Sequence, residues 1–253
     1  FSDGGLFLDR KAAVGRAMEM LDGGADLVDV GGESTRPGAP PVDAGEECRR
    51  IVPVISDIRK LRPDAVISAD TYKVSVARAA LDAGADIIND ISGLSLSEGM
   101  ADLVAQKGAG LVLMHMKGTP ATMAGLANYG NLLDEVASGL GEAARKARAA
   151  GVRAESIALD PGIGFAKTPE QSVEIISQID FFRKLGHPLF AGPSRKSFIG
   201  HLLGGRAPSD RIWGTAGAVA WLVCRGVEFV RVHDVREMAD LVKVLEALKR
   251  GNQ

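Results

Sequence analysis

The sequence predicts a single α/β domain over residues 1–253, built from parallel strands and helical crossovers, and three observations predict it. Short apolar runs rich in Val, Ile and Leu alternate with longer amphipathic stretches from one end to the other. Nearly continuous apolar runs mark strands buried on both faces, as parallel strands under helices are. A unit of helix end, Gly stop and strand also occurs twice in near copy, as Leu21-Asp-Gly-Gly-Ala-Asp-Leu-Val-Asp-Val and Leu81-Asp-Ala-Gly-Ala-Asp-Ile-Ile-Asn-Asp. Finally, no linker or low-complexity segment divides the chain, and 253 residues is close to the roughly 250 of one α/β barrel.

The elements follow in order. A helix over 10–23 ends at the Gly stop of the first copy, because Gly tolerates the left-handed conformation that closes a helix, and leads into a strand at 26–31. A helix over 43–61 carries Pro53, which should kink it, and precedes the strand at 65–70. The second copy closes a helix over 73–84 and opens the strand at 86–91. Helices over 97–107, 131–151, 169–185 and 208–225 then precede strands at 110–115, 156–160, 188–192 and 229–233, and a last helix covers 235–250. The count is seven strands and eight helices. Parallel strands with crossovers make a doubly wound sheet or a closed barrel. A (β/α)8 barrel is completed by placing its first strand upstream of Phe1, with Ser2-Asp3-Gly4-Gly5 in the loop after it.

Composition narrows the function. With 46% hydrophobic and 25% charged residues the chain can bury a large core. A formal net charge of -2 and the lack of a Lys/Arg-rich run argue against nucleic acid as a partner. No apolar run approaches the roughly 18 residues of a membrane span, and no secretory leader is expected. Cys48 and Cys224 stand far apart without metal-type spacing, so neither a disulfide framework nor a thiolate metal site is expected, and a cytoplasmic location is.

In parallel α/β folds the strand ends and the loops after them form the site. Here the apolar runs end in Asp29, Asp70, Asn89, His115, Asp160, Lys196, Arg231 and His233. Each has a plainer explanation too. Asp70 stands before Thr71 and a helix starting near Lys73, where it would serve equally as a helix cap. Asn89 would satisfy loop backbone groups, and His115, between Met114 and Met116, suits a loop brace better than a catalyst. His187 and His201 receive no role. Asp160-Pro-Gly-Ile-Gly-Phe is a rigid turn holding a carboxylate near the ring of Phe165. Ser194-Arg195-Lys196-Ser197 sets two cations after an apolar strand, for a ligand or for solvent. Arg231 and His233 share one strand face by the period of two and suit an anion clamp, because both donate charge-assisted hydrogen bonds to phosphate oxygens. A buried ion pair with Asp234 or Asp240 is the alternative. The Gly/Pro-rich loop at 31–45 carries Thr35 and Arg36, and loops of this length often act as lids. Together these groups suit a flat polar heterocycle bearing phosphate.

The motifs as a set resemble dihydropteroate synthase, the folate-pathway enzyme family. They are FSDGG at the start, DVGGESTRPG at 29–38, DTYK at 70–73, NDISG at 89–93, MHMKGTP at 114–120, LDPGIGF at 159–165, SRKSFIG at 194–200 and VRVHDV at 230–235. The resemblance implies a (β/α)8 TIM barrel that condenses 6-hydroxymethyl-7,8-dihydropterin diphosphate with p-aminobenzoate, releasing diphosphate. It also implies Mg2+ as cofactor, sulfonamides as competitors, and a homodimer through late helices such as 208–225. Matched motif by motif, Asp70, Asn89, Asp160 and Lys196 would line the pterin pocket. Arg231 and His233, helped by Thr35, would hold the diphosphate, and Arg36, Phe165 and Ser194 would shape the p-aminobenzoate pocket. Catalysis would fall to Lys196, Arg231, His233 and Asp70. The family's Mg2+-binding Asn belongs to a segment just before FSDGG and is expected upstream of Phe1, so no residue of the chain is assigned to metal. Ala69 and Pro193 depart from the family pattern and are expected to be tolerated. A non-catalytic pterin-binding paralogue and a pterin-dependent methyltransferase domain share the barrel and pocket, although the STRPG and SRK motifs favour the synthase. A Schiff-base aldolase on Lys196 fits less well, because Arg195 and the loop setting do not resemble a desolvated lysine.

Overall fold

The structure, a computed structural model, describes residues 9–36 and 38–251, so the FSDGG motif lies outside the described residues. The described strands are seven: β1 (Leu27–Gly31), β2 (Val66–Asp70), β3 (Ile87–Asp90), β4 (Gly110–Met114), β5 (Ile157–Asp160), β6 (Phe190–Ala191) and β7 (Phe229–Val230). Between and around them run α1 (Arg10–Asp22), α2 (Ala44–Leu61), α3 (Val74–Asp82), α4 (Met100–Lys107), α5 (Leu132–Ala149), α6 (Pro169–Ser177), α7 (Ser197–Leu202), α8 (Ile212–Cys224) and α9 (Val235–Arg250). All pairings are parallel and sequential, from β1 through β5 and from β6 to β7. A bridge from Leu159 to Leu189 joins the two groups into one wall. This is the TIM-barrel architecture.

The strand order follows from local signals. In the repeated unit, Ala25 N donates to Met20 O and Ala85 N to Ala80 O, with Gly24 and Gly84 at φ +100° and +110°. That left-handed step ends α1 and α3 and turns the chain into the next strand. Asp9, Asp43 and Asn131 cap α1, α2 and α5, and Thr168 with Gln171 forms a capping box on α6. The helix α2 runs through Pro53 as one element.

Alternation sorts the side chains. Leu111, Leu113, Ile157, Leu159, Leu189 and Ala191 join the main core under the helices, while Val112, Ala158 and Phe190 form a separate cluster on the opposite face, inside the barrel. Register pairs Asp70 with Asn89, Asn89 with Val112 and Met114 with Asp160. Asp29, Asp70, Asn89 and Asp160 therefore share the inner face at the C-terminal end of the wall.

Three expectations need correction. The last two strands stop early: Phe229 N and Arg231 N still donate to Leu189 O and Ala191 O, but Gly192 and Pro193 follow, and Pro has no N–H for the ladder. The expected helix over 169–185 breaks at Gln178 into α6 and a 3-10 segment, Ile179–Leu185. The described helices number nine, because SFIGHL forms the short α7 that the loop-like SRKSFIG motif concealed. Among the described residues no helix is long and apolar enough to cross a membrane.

Candidate active site

The inner-face carboxylates meet a cation from the far end of the wall. Arg231, just past β7, donates from Nε to Asp29 Oδ2 at 2.7 Å and from Nη2 to Asp70 Oδ2 at 3.1 Å. Asn89 Nδ2 donates to Asp29 Oδ2 at 3.2 Å, which ties β3 into the same group. Among the described residues no backbone pairing joins β7 to β1, so these side chains span the seam. Asp29 was weighed in the sequence but given no role, and it proves to be the centre of this group. Asp70 does not cap α3, whose N-cap Lys73 has no side-chain bond, and Arg231 pairs with neither Asp234 nor Asp240. Asp234 is instead the partner of Arg195.

Burial sets the electrostatics. It pushes the Asp70 carboxyl up to about 7, with the charge of Asp29 adding to the rise and that of Arg231 opposing it. Burial likewise works against the charge of Arg231, yet Asp29 and Asp70 together hold the guanidinium above its ordinary range.

A second group faces the first. Asp160 ends β5, is raised by burial and opposed by the charge of Lys196, and accepts from Gly162 N at 2.7 Å. The turn is forced at Gly162, with φ +71° and room for no side chain, since a Cβ there would lie 2.0 Å from His115 O. Lys196 donates to Ile163 O and lies 4.6 Å from the centre of the Phe165 ring. Its amine is brought down to about 8 by burial, against the pull of Asp160. The loop setting thus conceals a half-buried lysine, bonded to a carbonyl, beside an aromatic ring and within the field of a carboxylate.

The remaining predicted residues lie on the rim. Ser194 is buried, and its Oγ meets His233 Nδ1 at 2.9 Å and accepts from His233 N at 3.2 Å. Arg16 of α1 donates to the His233 carbonyl at 3.0 Å. Arg231 and His233 consequently have separate partners rather than one shared contact. Thr35 is buried, and Arg36 Nε is buried without a partner. Their loop is fixed at its root by Glu33, which accepts from Tyr72 Oη at 2.6 Å, from Val42 N at 3.0 Å and from Lys73 Nζ. Lys73 also pairs with the buried Glu47. Beyond the root, Gly38 N donates to Pro120 O at 3.1 Å, which docks the loop on the segment after β4.

Three contributors were missed or undervalued: Asp29, Glu33 and Lys167. Lys167 is buried beside His115, and burial brings its amine down to about 7. Its only sequence signal is a lone Lys between the apolar GIGFA and the capping Thr168. His115 is the loop brace expected of it, with its ring brought down to about 3 by burial and by Lys167.

The family model described as pterin binding enzyme matches residues 1–233. The chain belongs to the pterin binding enzyme family. Over 99% of its length it is 46% identical to a dihydropteroate synthase of Synechocystis, of which it covers 86%. The Yersinia pestis dihydropteroate synthase in its sulfonamide drug complex superposes with a TM-score of 0.94 at 35% identity, over 99% of this chain and 90% of that one. The Xanthomonas albilineans dihydropteroate synthase with 4-aminobenzoic acid superposes at 0.90 with 38% identity, over 98% and 88%. The geometry of this pterin binding enzyme makes one demand on its sequence that is directly checkable. Gly162→Ala is expected to destabilise the fold by at least about 2 kcal/mol, from left-handed strain and the carbonyl clash. A denaturant midpoint equal to that of the parent would refute this account of the turn.

Proposed function

We propose that the strand-end groups divide the dihydropteroate synthase reaction among themselves. The chain is a transferase of folate biosynthesis that condenses 6-hydroxymethyl-7,8-dihydropterin diphosphate with p-aminobenzoate. The observation that carries the assignment of roles is the convergence of two carboxylate–cation groups on the inner face of one barrel mouth, Asp29–Asp70–Arg231 with Asn89 and Asp160–Lys196 with Phe165.

The bond between the pterin methylene carbon and the diphosphate oxygen breaks, and the electron pair leaves with the diphosphate. The amine of p-aminobenzoate then bonds to that carbon and gives up a proton. The protein must stabilise a departing anion and an electron-poor methylene. Fixed charges at a dry site are the strongest means of doing so. Arg231 and His233, with Thr35, hold the diphosphate. Asp160 and Asn89 read the donor and acceptor edge of the pterin ring, and Lys196 donates to the ring from the side of Phe165. Asp70 keeps Arg231 aimed. Phe165, Ser194 and Arg36 form the p-aminobenzoate pocket, and the buried, unpartnered Nε of Arg36 is a donor suited to a carboxylate there.

Mg2+ belongs to the same proposal. It takes one or two protein oxygens when substrate phosphates supply the others. Asp29 Oδ1 is buried without a partner and is such an oxygen. The bound ion would offset charge on the diphosphate.

A homodimer through α7 and α8 is the matching assembly, supported by Trp213 at 81% exposure and Leu202 at 63% on that apolar face. A cytoplasmic location accords with free Cys48 and Cys224.

Lys196→Ala and Arg231→Ala should each lower kcat/KM at least about 100-fold, the scale of one lost preorganised charge contact. A coupled assay of diphosphate release that finds either variant within a few-fold of the parent would sink its role. Because kcat/KM reports groups of the free enzyme, it should fall as pH rises through about 8, where Lys196 loses its proton. Lys196→Arg should move that limb beyond the measurable range, and an unmoved limb would assign it to another group. Chelation should abolish turnover and added Mg2+ restore it, whereas full activity in chelator rejects the metal. Sedimentation should give twice the 26.5 kDa chain mass, and a monomer at working concentration rejects the dimer.

A further inference from the structure

Lys167 is a buried lysine that the reaction does not use. Its side chain folds back beneath its own loop. Nζ donates to Phe165 O at 3.0 Å, meets His115 Nδ1 at 3.2 Å and lies 3.4 Å from His115 O. Three acceptors saturate the three donors of an ammonium, and the neutral amine keeps two donors and offers its lone pair to the ring nitrogen. The contact set is thus satisfied in either protonation state. The charged groups that bear on it are Asp160, Lys196 and Lys117, with the Tyr129 ring at 5.9 Å.

The contacts have a direction. His115 follows β4, and Phe165 is the far end of the Asp160 turn. Lys167 therefore stitches the loop after β4 to the loop after β5. Between Phe165 and Lys167, Ala166 is held at φ +48°, a left-handed conformation that a residue with a side chain keeps only under restraint. Tyr129 Oη donates to Ala166 O at 3.0 Å and supplies the second restraint. The ring so fixed is the one that Lys196 lies over, and the same turn offers Lys196 its carbonyl at Ile163.

We infer that Lys167 is a positioning residue, which, with His115 and Tyr129, holds the Phe165 turn so that the ring and Lys196 stand ready for p-aminobenzoate and pterin. This rests on the dihydropteroate synthase function. Lys167→Met fills a similar volume without a donor, and Lys167→Gln keeps a donor but neither the reach nor the charge. Both are made in the full chain and compared with the parent, with Phe165→Leu and with the corresponding double variants.

The expected result is a KM for p-aminobenzoate raised at least about 5-fold in Lys167→Met, less in Lys167→Gln, with a smaller change in kcat. The Lys167→Met and Phe165→Leu effects should be non-additive, because contacting residues that act through one another couple. A merely structural lysine would lower the melting temperature while leaving the KM of the folded fraction unchanged. Parental KM in a folded Lys167 variant, or an additive cycle, overturns the inference. A parent that releases no diphosphate with p-aminobenzoate overturns the functional reading instead, and the two failures are distinguishable.

Discussion

The seam between the first and last described strands is held by a guanidinium shared between two carboxylates, and most of the mouth depends on that contact. Asp29 and Asp70 stand on adjacent strands, β1 and β2, and both are largely buried. Two such carboxylates repel, and burial alone would leave at least one of them protonated. Arg231 offsets that repulsion from the opposite edge of the wall. It also carries Asn89 with it through Asp29, so three strand ends and the segment after β7 share a single electrostatic arrangement. In the role proposed for it, Arg231 is no bare cation: an incoming diphosphate would compete with Asp29 and Asp70 for a guanidinium whose orientation is already set. Removing one partner of a buried group of this kind leaves the others uncompensated, which is why such groups tolerate substitution poorly.

The second group works by a different balance. Asp160 and Lys196 are each disfavoured as ions by burial and each favoured by the other. The Gly162 amide and the Ile163 carbonyl add a fixed partner to each member. The site therefore contains one charge cluster bridged by a planar cation and another whose amine burial brings down to about 8. That pairing suits a substrate with a strongly anionic end and a flat, hydrogen-bonding end.

Much of this was legible in the chain because burial on both faces writes nearly continuous apolar runs. β2 to β5 fall within one residue of where those runs place them. The same logic exposed the site, since a carboxylate, amide or cation that ends a greasy run has only the mouth to face. Legibility failed where chemistry depended on depth. Lys167 and Glu33 are ordinary charged residues in a string, and only packing shows that one is buried under a turn and the other under a loop. The SRK motif marked Lys196 for a ligand, but its packing against the Asp160 turn could not be read from the string. Register could also not reveal that the ladder stops at Ala191, where Gly192 and Pro193 intervene, nor that the Arg231 side chain reaches across the seam to Asp29.

The root of the loop bearing Thr35 and Arg36 has an entropic meaning. One carboxylate, Glu33, receives the Val42 amide as well as Tyr72 and Lys73, so both ends of the arc are pinned to the same group. The cost of ordering a loop includes the cost of bringing its ends together. Here that part is met in the folded protein before any substrate arrives. With Gly38 also docked on the Pro120 carbonyl, less of a ligand's binding energy is consumed in holding the arc still.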